Sequence, residues 1–156
     1  MKRKTQILFL LCAFFISCQQ IKYAGEYSFG TSPEEGRTGG VYIYPDTDST
    51  LLFYLELSRG APSYNSGAIS GQLMITSPGQ ASITRIDTEN LLNCGLIFIF
   101  EKQKLTISTV DGHKDCGFGY AVYADGKYEK KSDSIPLYFI DRTGEKTFFK
   151  DLDWNE

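Results

Sequence analysis

The sequence predicts an all-β fold, an antiparallel up-and-down meander of about eight to ten strands closed or nearly closed into a barrel. Three observations carry that expectation. From Tyr23 onward, short apolar runs are separated by Gly, Pro, Asp and Asn, with no long stretch of helical period. Residues that favour strands are abundant, with 10 Tyr and 11 Phe among 156 residues. The links between runs are short, so sequential runs pair as neighbours, and closure removes the edges that a lone sheet would expose. A chain of this length makes one domain.

The runs fall at 23–29, 41–44, 51–58, 68–76, 81–86, 96–101, 104–110, 120–124, 137–140 and 146–150. In the third, Leu51, Phe53, Leu55 and Leu57 share one face, while Leu52, Tyr54 and Glu56 point outward or to a rim. In the fourth, Ile69, Gly71, Leu73 and Ile75 form the inward set, with Gln72 and Thr76 opposite. Ile97-Phe98-Ile99-Phe100 is apolar on both faces and predicts a central, covered strand. Ser77-Pro78-Gly79-Gln80 and Lys102-Gln103 read as tight turns, and Asp125-Gly126 as the strongest hairpin signal in the chain. Residues 23–150 are the expected barrel domain, and residues 151–156 a polar tail.

The opening segment has a different character. Lys2-Arg3-Lys4 precedes an apolar run from residue 7 to 16, too short to cross a bilayer as an ordinary helix. A basic start, a short apolar stretch and a small residue before a cleavage point describe a secretory signal peptide, here residues 1–17. Phe15-Ile16-Ser17-Cys18 resembles a bacterial lipobox, with Phe15 where Leu is commonest. That resemblance implies cleavage before Cys18, acylation of Cys18 with chains such as palmitate, and a short tether over residues 18–22. The alternative is an ordinary secreted protein cut nearby. Two or three acyl chains suffice for a stable membrane anchor. No acidic run follows Cys18, which favours the periplasmic face of a bacterial envelope.

Four cysteines, less Cys12 in the signal and the lipidated Cys18, leave Cys94 and Cys116. An envelope compartment is oxidising, so the pair predicts a structural disulfide. A redox-active pair normally has a closer spacing, as in Cys-x-x-Cys. Without the three basic residues of the signal, 13 Lys and Arg face 19 Asp and Glu, a formal charge of −6. Nucleic acid is therefore not an expected partner, because binding it requires a basic face.

Catalytic and metal chemistry find little support. His113, the chain's one His, lies between Asp111 and Asp115, and no Gly-x-Ser-x-Gly elbow accompanies it. A hydrolase would need a buried acid pair or an activated His113, and no cofactor or metal is expected. Asp46-Thr47-Asp48-Ser49-Thr50 has the form of a phosphotransferase motif, but it follows Pro45 in an all-β chain. It reads as a turn capped by its own Asp side chains.

Two loops stand out as binding candidates. The segment 58–67 joins two strong strands and offers Arg59, Tyr64, Asn65 and Ser66, a cation, a ring, an amide and a hydroxyl. The segment 111–120 carries Phe118 between Gly117 and Gly119, beside the expected disulfide. Separately, Tyr27, Tyr42, Tyr44, Tyr54, Tyr120 and Tyr123 would line the cavity of a hollow barrel able to hold a small apolar ligand. A barrel of about eight strands is just wide enough either to fill or to hold one ligand, and so many rings favour filling.

A small envelope lipoprotein with a β-barrel and one disulfide resembles the bacterial lysozyme-inhibitor lipoproteins. It also resembles the wider calycin group, which includes the lipocalins. The first strand of calycins often begins with Gly and an aromatic, here Gly25-Glu26-Tyr27. The inhibitors carry a Ser-Gly-x-x-Tyr loop that enters the lysozyme cleft. Ser66-Gly67-Ala68 matches its start, Ile69 and Ser70 stand where the Tyr is expected, and Tyr64 lies just upstream. The resemblance implies a non-enzymatic, lipid-anchored protein that binds a hydrolase or toxin through barrel loops. The alternative it implies is a calycin-like carrier of a small apolar ligand.

Overall fold

Alternation along the apolar runs becomes alternation across a closed wall. A computed structural model describes residues 22–89 and 92–152. Cys12, Cys18, the expected signal peptide and most of the tether lie outside them. Eight strands follow one another around the barrel: β1 Gly25–Phe29, β2 Thr38–Thr47, β3 Thr50–Ser58, β4 Ser66–Ser77, β5 Gln80–Asp87, β6 Leu92–Phe100, β7 Lys104–Asp115 and β8 Gly126–Ser132. Each is antiparallel to the next, and β1 pairs with β8 through Tyr27–Lys130 and Ser28–Glu129 to close the ring. This is the all-β, up-and-down barrel that the sequence predicts, with the architecture seen in lipocalins.

The interior is packed with side chains. Leu51, Phe53, Leu55 and Leu57 of β3, Leu73 of β4, Phe98 of β6 and Tyr128 of β8 are all essentially inaccessible to solvent. Each such aliphatic or aromatic burial contributes roughly 1.5–3 kcal/mol. Phe53 and Phe98 meet edge to face at 5.2 Å, so the space behind those two faces is taken up by their rings. Tyr27 sits inside too and donates its hydroxyl to the Tyr23 carbonyl at 2.9 Å. Tyr23 in turn covers Phe100 at 4.8 Å and accepts from the Gly79 amide at 2.8 Å, which seals one end.

Several expectations are corrected. Residues 120–124 form no strand: the Val122 amide bonds the Gly119 carbonyl in a turn, and Ala121 has φ +58°. Asp125-Gly126 is not a hairpin turn, because Gly126 opens β8 instead. That strand, Gly-Lys-Tyr-Glu-Lys-Lys-Ser, has a single large apolar side chain and so shows no apolar period. The outer face of β6 is uncovered at Ile99, which is exposed. Of the tyrosines expected around a cavity, Tyr27 alone faces the interior; Tyr42, Tyr44 and Tyr54 lie on the outer wall, and Tyr120 and Tyr123 are exposed.

The outer wall of β2–β4 has its own cover. A hairpin of β9 Tyr138–Ile140 and β10 Lys146–Phe148, followed by a 3₁₀ turn at Phe149–Asp151, packs on it. Phe139 stacks on Tyr54 at 4.1 Å, and Phe149 on Tyr44 at 5.5 Å. With Leu52 they form a second apolar cluster, against which Leu152 of the expected polar tail also packs. Leu52 and Tyr54 therefore point outward as predicted but are buried all the same.

Candidate functional site

The barrel has one tight end and one elaborate end. Turns at residues 48–49, 78–79 and 101–103 close the first. At the Asp46 turn, the Thr50 hydroxyl donates to the Asp46 carboxylate at 2.7 Å, so this carboxylate cluster is a capped turn. Long connections at 30–37, 59–65 and 116–125 gather at the other end.

These three connections hold one another. The Asn65 side-chain amide donates to the Tyr120 carbonyl at 2.9 Å, and the Arg59 guanidinium lies 5.9 Å from the Tyr120 ring centroid. The Ala61 amide donates to the Pro33 carbonyl at 2.7 Å, which fixes the 59–65 loop to the first connection. Arg37 donates to the Tyr123 carbonyl at 2.7 Å and sits over the Phe29 and Tyr123 rings. Glycine permits the close approach. A Cβ on Gly67 would stand 2.8 Å from the Phe118 Cα, and one on Gly60 would strike the Gly36 carbonyl oxygen.

The 59–65 loop and the second half of the expected 111–120 loop thus form one rim, whereas residues 111–115, expected as loop, continue strand β7; the residues on the rim divide into distinct roles. Tyr64, Tyr120 and Tyr123 are exposed by 51%, 83% and 58%, with Arg59 beside the Tyr120 ring and Arg37 beside that of Tyr123. Tyr64 is held at φ +51°, a left-handed conformation that a bulky side chain rarely adopts. Asn65 is a strut. Ser66 opens β4 and accepts from Arg142 at 3.4 Å. Phe118 is half-buried against the main core and plugs the mouth rather than facing out. Arg37 has no local sequence signal, and Tyr120 and Tyr123 are expected from the sequence at a cavity rather than on a rim; the folding of the 116–125 loop against β4 brings them there.

Beneath that loop lies an open recess of about 620 Å³. Cys116, Phe118 and Val122 line its floor, with Asp111, Lys114 and Asp115 at its side. The Cys94–Cys116 disulfide, with Cα atoms 4.4 Å apart, ties the loop to β6. Asp125 anchors the other side: its carboxylate accepts from the Thr109 amide at 2.9 Å and from the Thr109 hydroxyl at 2.6 Å. Partial burial alone would raise the Asp125 pKa, but these bonds and the nearby Arg37 hold it below the usual carboxylate value.

His113 sits where β7 bulges away from β6, as the register passes from Leu96↔Thr109 to Cys94↔Lys114. Its Nδ1 meets the Asn93 side-chain oxygen at 2.5 Å, and Asn93 also bonds the Gly112 carbonyl at 2.9 Å. This cross-strand pairing supports the bulge; the Asp contact considered for His113 is replaced by Asn93. Among the described residues, no group of three or more His, Cys, Asp or Glu is arranged to hold a metal ion. No family model matches the chain, and neither the curated proteins nor the solved structures compared with it yield a significant match.

Proposed function

We propose that this chain is a lipid-anchored envelope protein, held through Cys18, that captures a protein partner on its open-end rim and blocks it. A hydrolase or toxin is the expected class. The observation that carries this reading is the rim itself. Three exposed tyrosines and two guanidiniums stand on connections braced by Asn65, Arg37 and a disulfide. Tyr and Arg are the side chains that most often anchor interfaces, and bracing lowers the ordering cost of binding. The left-handed backbone at Tyr64 supports the same reading, since such conformations gather at functional sites. The net negative charge of the chain beyond its signal favours a basic partner.

A carrier of small molecules is the second reading, and it moves from the barrel interior to the recess. The barrel axis is occupied by Phe53, Phe98 and Tyr128, whereas the recess has a volume within the range of ligand sites. Native mass spectrometry of the protein recovered gently from its own host's envelope separates the two. A stoichiometric protein adduct supports capture at the rim. A stoichiometric small mass supports the carrier and overturns capture as the main function.

A further inference from the structure

Five of the eleven exposed large apolar side chains among the described residues lie between positions 135 and 148: Ile135, Leu137, Tyr138, Ile140 and Phe148. The strand period groups three of them, Tyr138, Ile140 and Phe148. Phe139 faces the barrel, so Tyr138 and Ile140 face away, and the register sets Tyr138 opposite Phe148 and Ile140 opposite Lys146. The Lys146 ammonium lies 3.7 Å from the Tyr138 ring centroid and 5.0 Å from that of Phe148. Leu137 and Phe148 also border a shallow hollow of about 240 Å³ with Lys150 and Asp151. Aliphatic and aromatic side chains edged by Lys146 and Lys150 suit the boundary between lipid headgroups and acyl chains, where lysine stems lie on apolar surface and their ammoniums reach phosphates.

The position of the N-terminal chain says what covers this face. The Lys130 side chain is almost wholly buried, and its backbone amide bonds the Gln103 carbonyl at the tight end of the barrel. Its ammonium donates to the Lys22 carbonyl at 3.4 Å and pairs with Asp133 at 2.6 Å. Lys22 is where the described chain begins, and Asp133 opens the segment that leads into the hairpin, two residues before Ile135 and four before Leu137. The described chain therefore begins next to the segment that leads into the hairpin. Only Gln19, Gln20 and Ile21 separate Lys22 from Cys18, so the tether spans at most about 14 Å.

We propose that the outer face of the hairpin, Tyr138, Ile140 and Phe148 with Lys146, together with the exposed Leu137 beside Phe148, rests on the lipid surface that anchors Cys18. This deepens the reading above and rests on the lipidation of Cys18. It turns the flank of the barrel that carries the hairpin toward the membrane and leaves the rim of Tyr64, Tyr120 and Tyr123, at the open end, outside the lipid contact, where a soluble partner is met.

The test uses the full lipoprotein, reconstituted through its own anchor into phosphatidylethanolamine and phosphatidylglycerol vesicles with brominated acyl chains. Trp154, the chain's one tryptophan, is replaced by Phe, and a single reporter is introduced by Ile140→Trp or, at the rim, by Tyr64→Trp. The expected result is a blue-shifted reporter at 140, quenched several-fold more than the one at 64, with the difference lost when Leu137→Ser and Phe148→Ser are added. Equal, weak quenching at both positions overturns the proposal. Protection at 140 without quenching, together with a doubled mass in sedimentation, assigns the face to a second copy and also overturns it. The intact mass reports acylation of Cys18 separately. If it is absent, the anchor reading fails, and the same unacylated chain is floated with the vesicles. Flotation that Leu137→Ser with Phe148→Ser removes then supports docking, and no flotation overturns it.

Discussion

Asn65 and Tyr120, 55 residues apart in sequence, are joined by one hydrogen bond of 2.9 Å from the Asn65 side-chain amide to the Tyr120 carbonyl. That bond makes two loops into one rim. Asn65→Ala is expected to remove about 1 kcal/mol of local stability and leave the barrel intact. Hydrogen exchange checks it: amides of residues 117–123 should exchange faster, while those of β3 and β6 stay protected.

Partner capture should depend on side chains that the fold does not need. Arg59→Ala with Tyr64→Ala should abolish capture while leaving thermal stability almost unchanged, because both side chains lie on the rim and Tyr64 is half-exposed. Tyr120→Ala should weaken capture in the same assay. A double variant that still retains the partner sinks the rim as the binding surface.

The Asp125 anchor predicts a pH dependence. Its pKa is lower in the fold than in the unfolded chain, where a free Asp titrates near about 4. The stabilisation is therefore present above that value and is lost as pH falls through the folded pKa. Asp125→Asn should remove this acid dependence, since the variant has nothing to protonate. Chemical-denaturant midpoints measured between neutral and acidic pH for both proteins provide the comparison.

Reduction of Cys94–Cys116, or Cys94→Ala with Cys116→Ala, should cost about 3 kcal/mol for a loop of this length. The 116–125 loop should loosen before the barrel does, because its anchor at β6 is lost. Reduced protein should bind the partner more weakly at temperatures where the barrel is still folded.

The two apolar clusters should separate under mutation. Phe149→Ala empties a fully buried position in the outer cluster and should cost about 3–5 kcal/mol of hairpin docking. Limited proteolysis should then cut between β8 and β9 while β1–β8 resist. Phe98→Ala, inside the barrel, should lower the melting transition of the whole domain.

Much of this architecture is written in short-range pattern. Seven barrel strands show β-favouring residues or strict alternation, and Ser77-Pro78-Gly79-Gln80 and Lys102-Gln103 form the turns their residues demand. The eighth strand escaped because pairing, not composition, makes it. Gly126–Ser132 is mostly Lys, Glu and Gly, and it is a strand because the open edge of β1 offers hydrogen bonds that only a neighbour can satisfy. Asp125-Gly126 misled for a related reason: its carboxylate is committed to Thr109, across the loop, rather than to a local turn.

The sequence by itself determined the fold class, the inward faces of β3 and β4 and the cysteine pair. All of these rest on the order of residues along a few positions, which strand geometry converts directly into sides and turns. Only the tertiary structure decided which rings are core and which are surface. Tyr54 and Tyr120 look alike in sequence, yet Tyr54 is buried because Phe139, 85 residues away, stacks on it, and Tyr120 is exposed because its loop crosses the rim. Burial is a property of what lies opposite a side chain, and what lies opposite is fixed by contacts between distant segments.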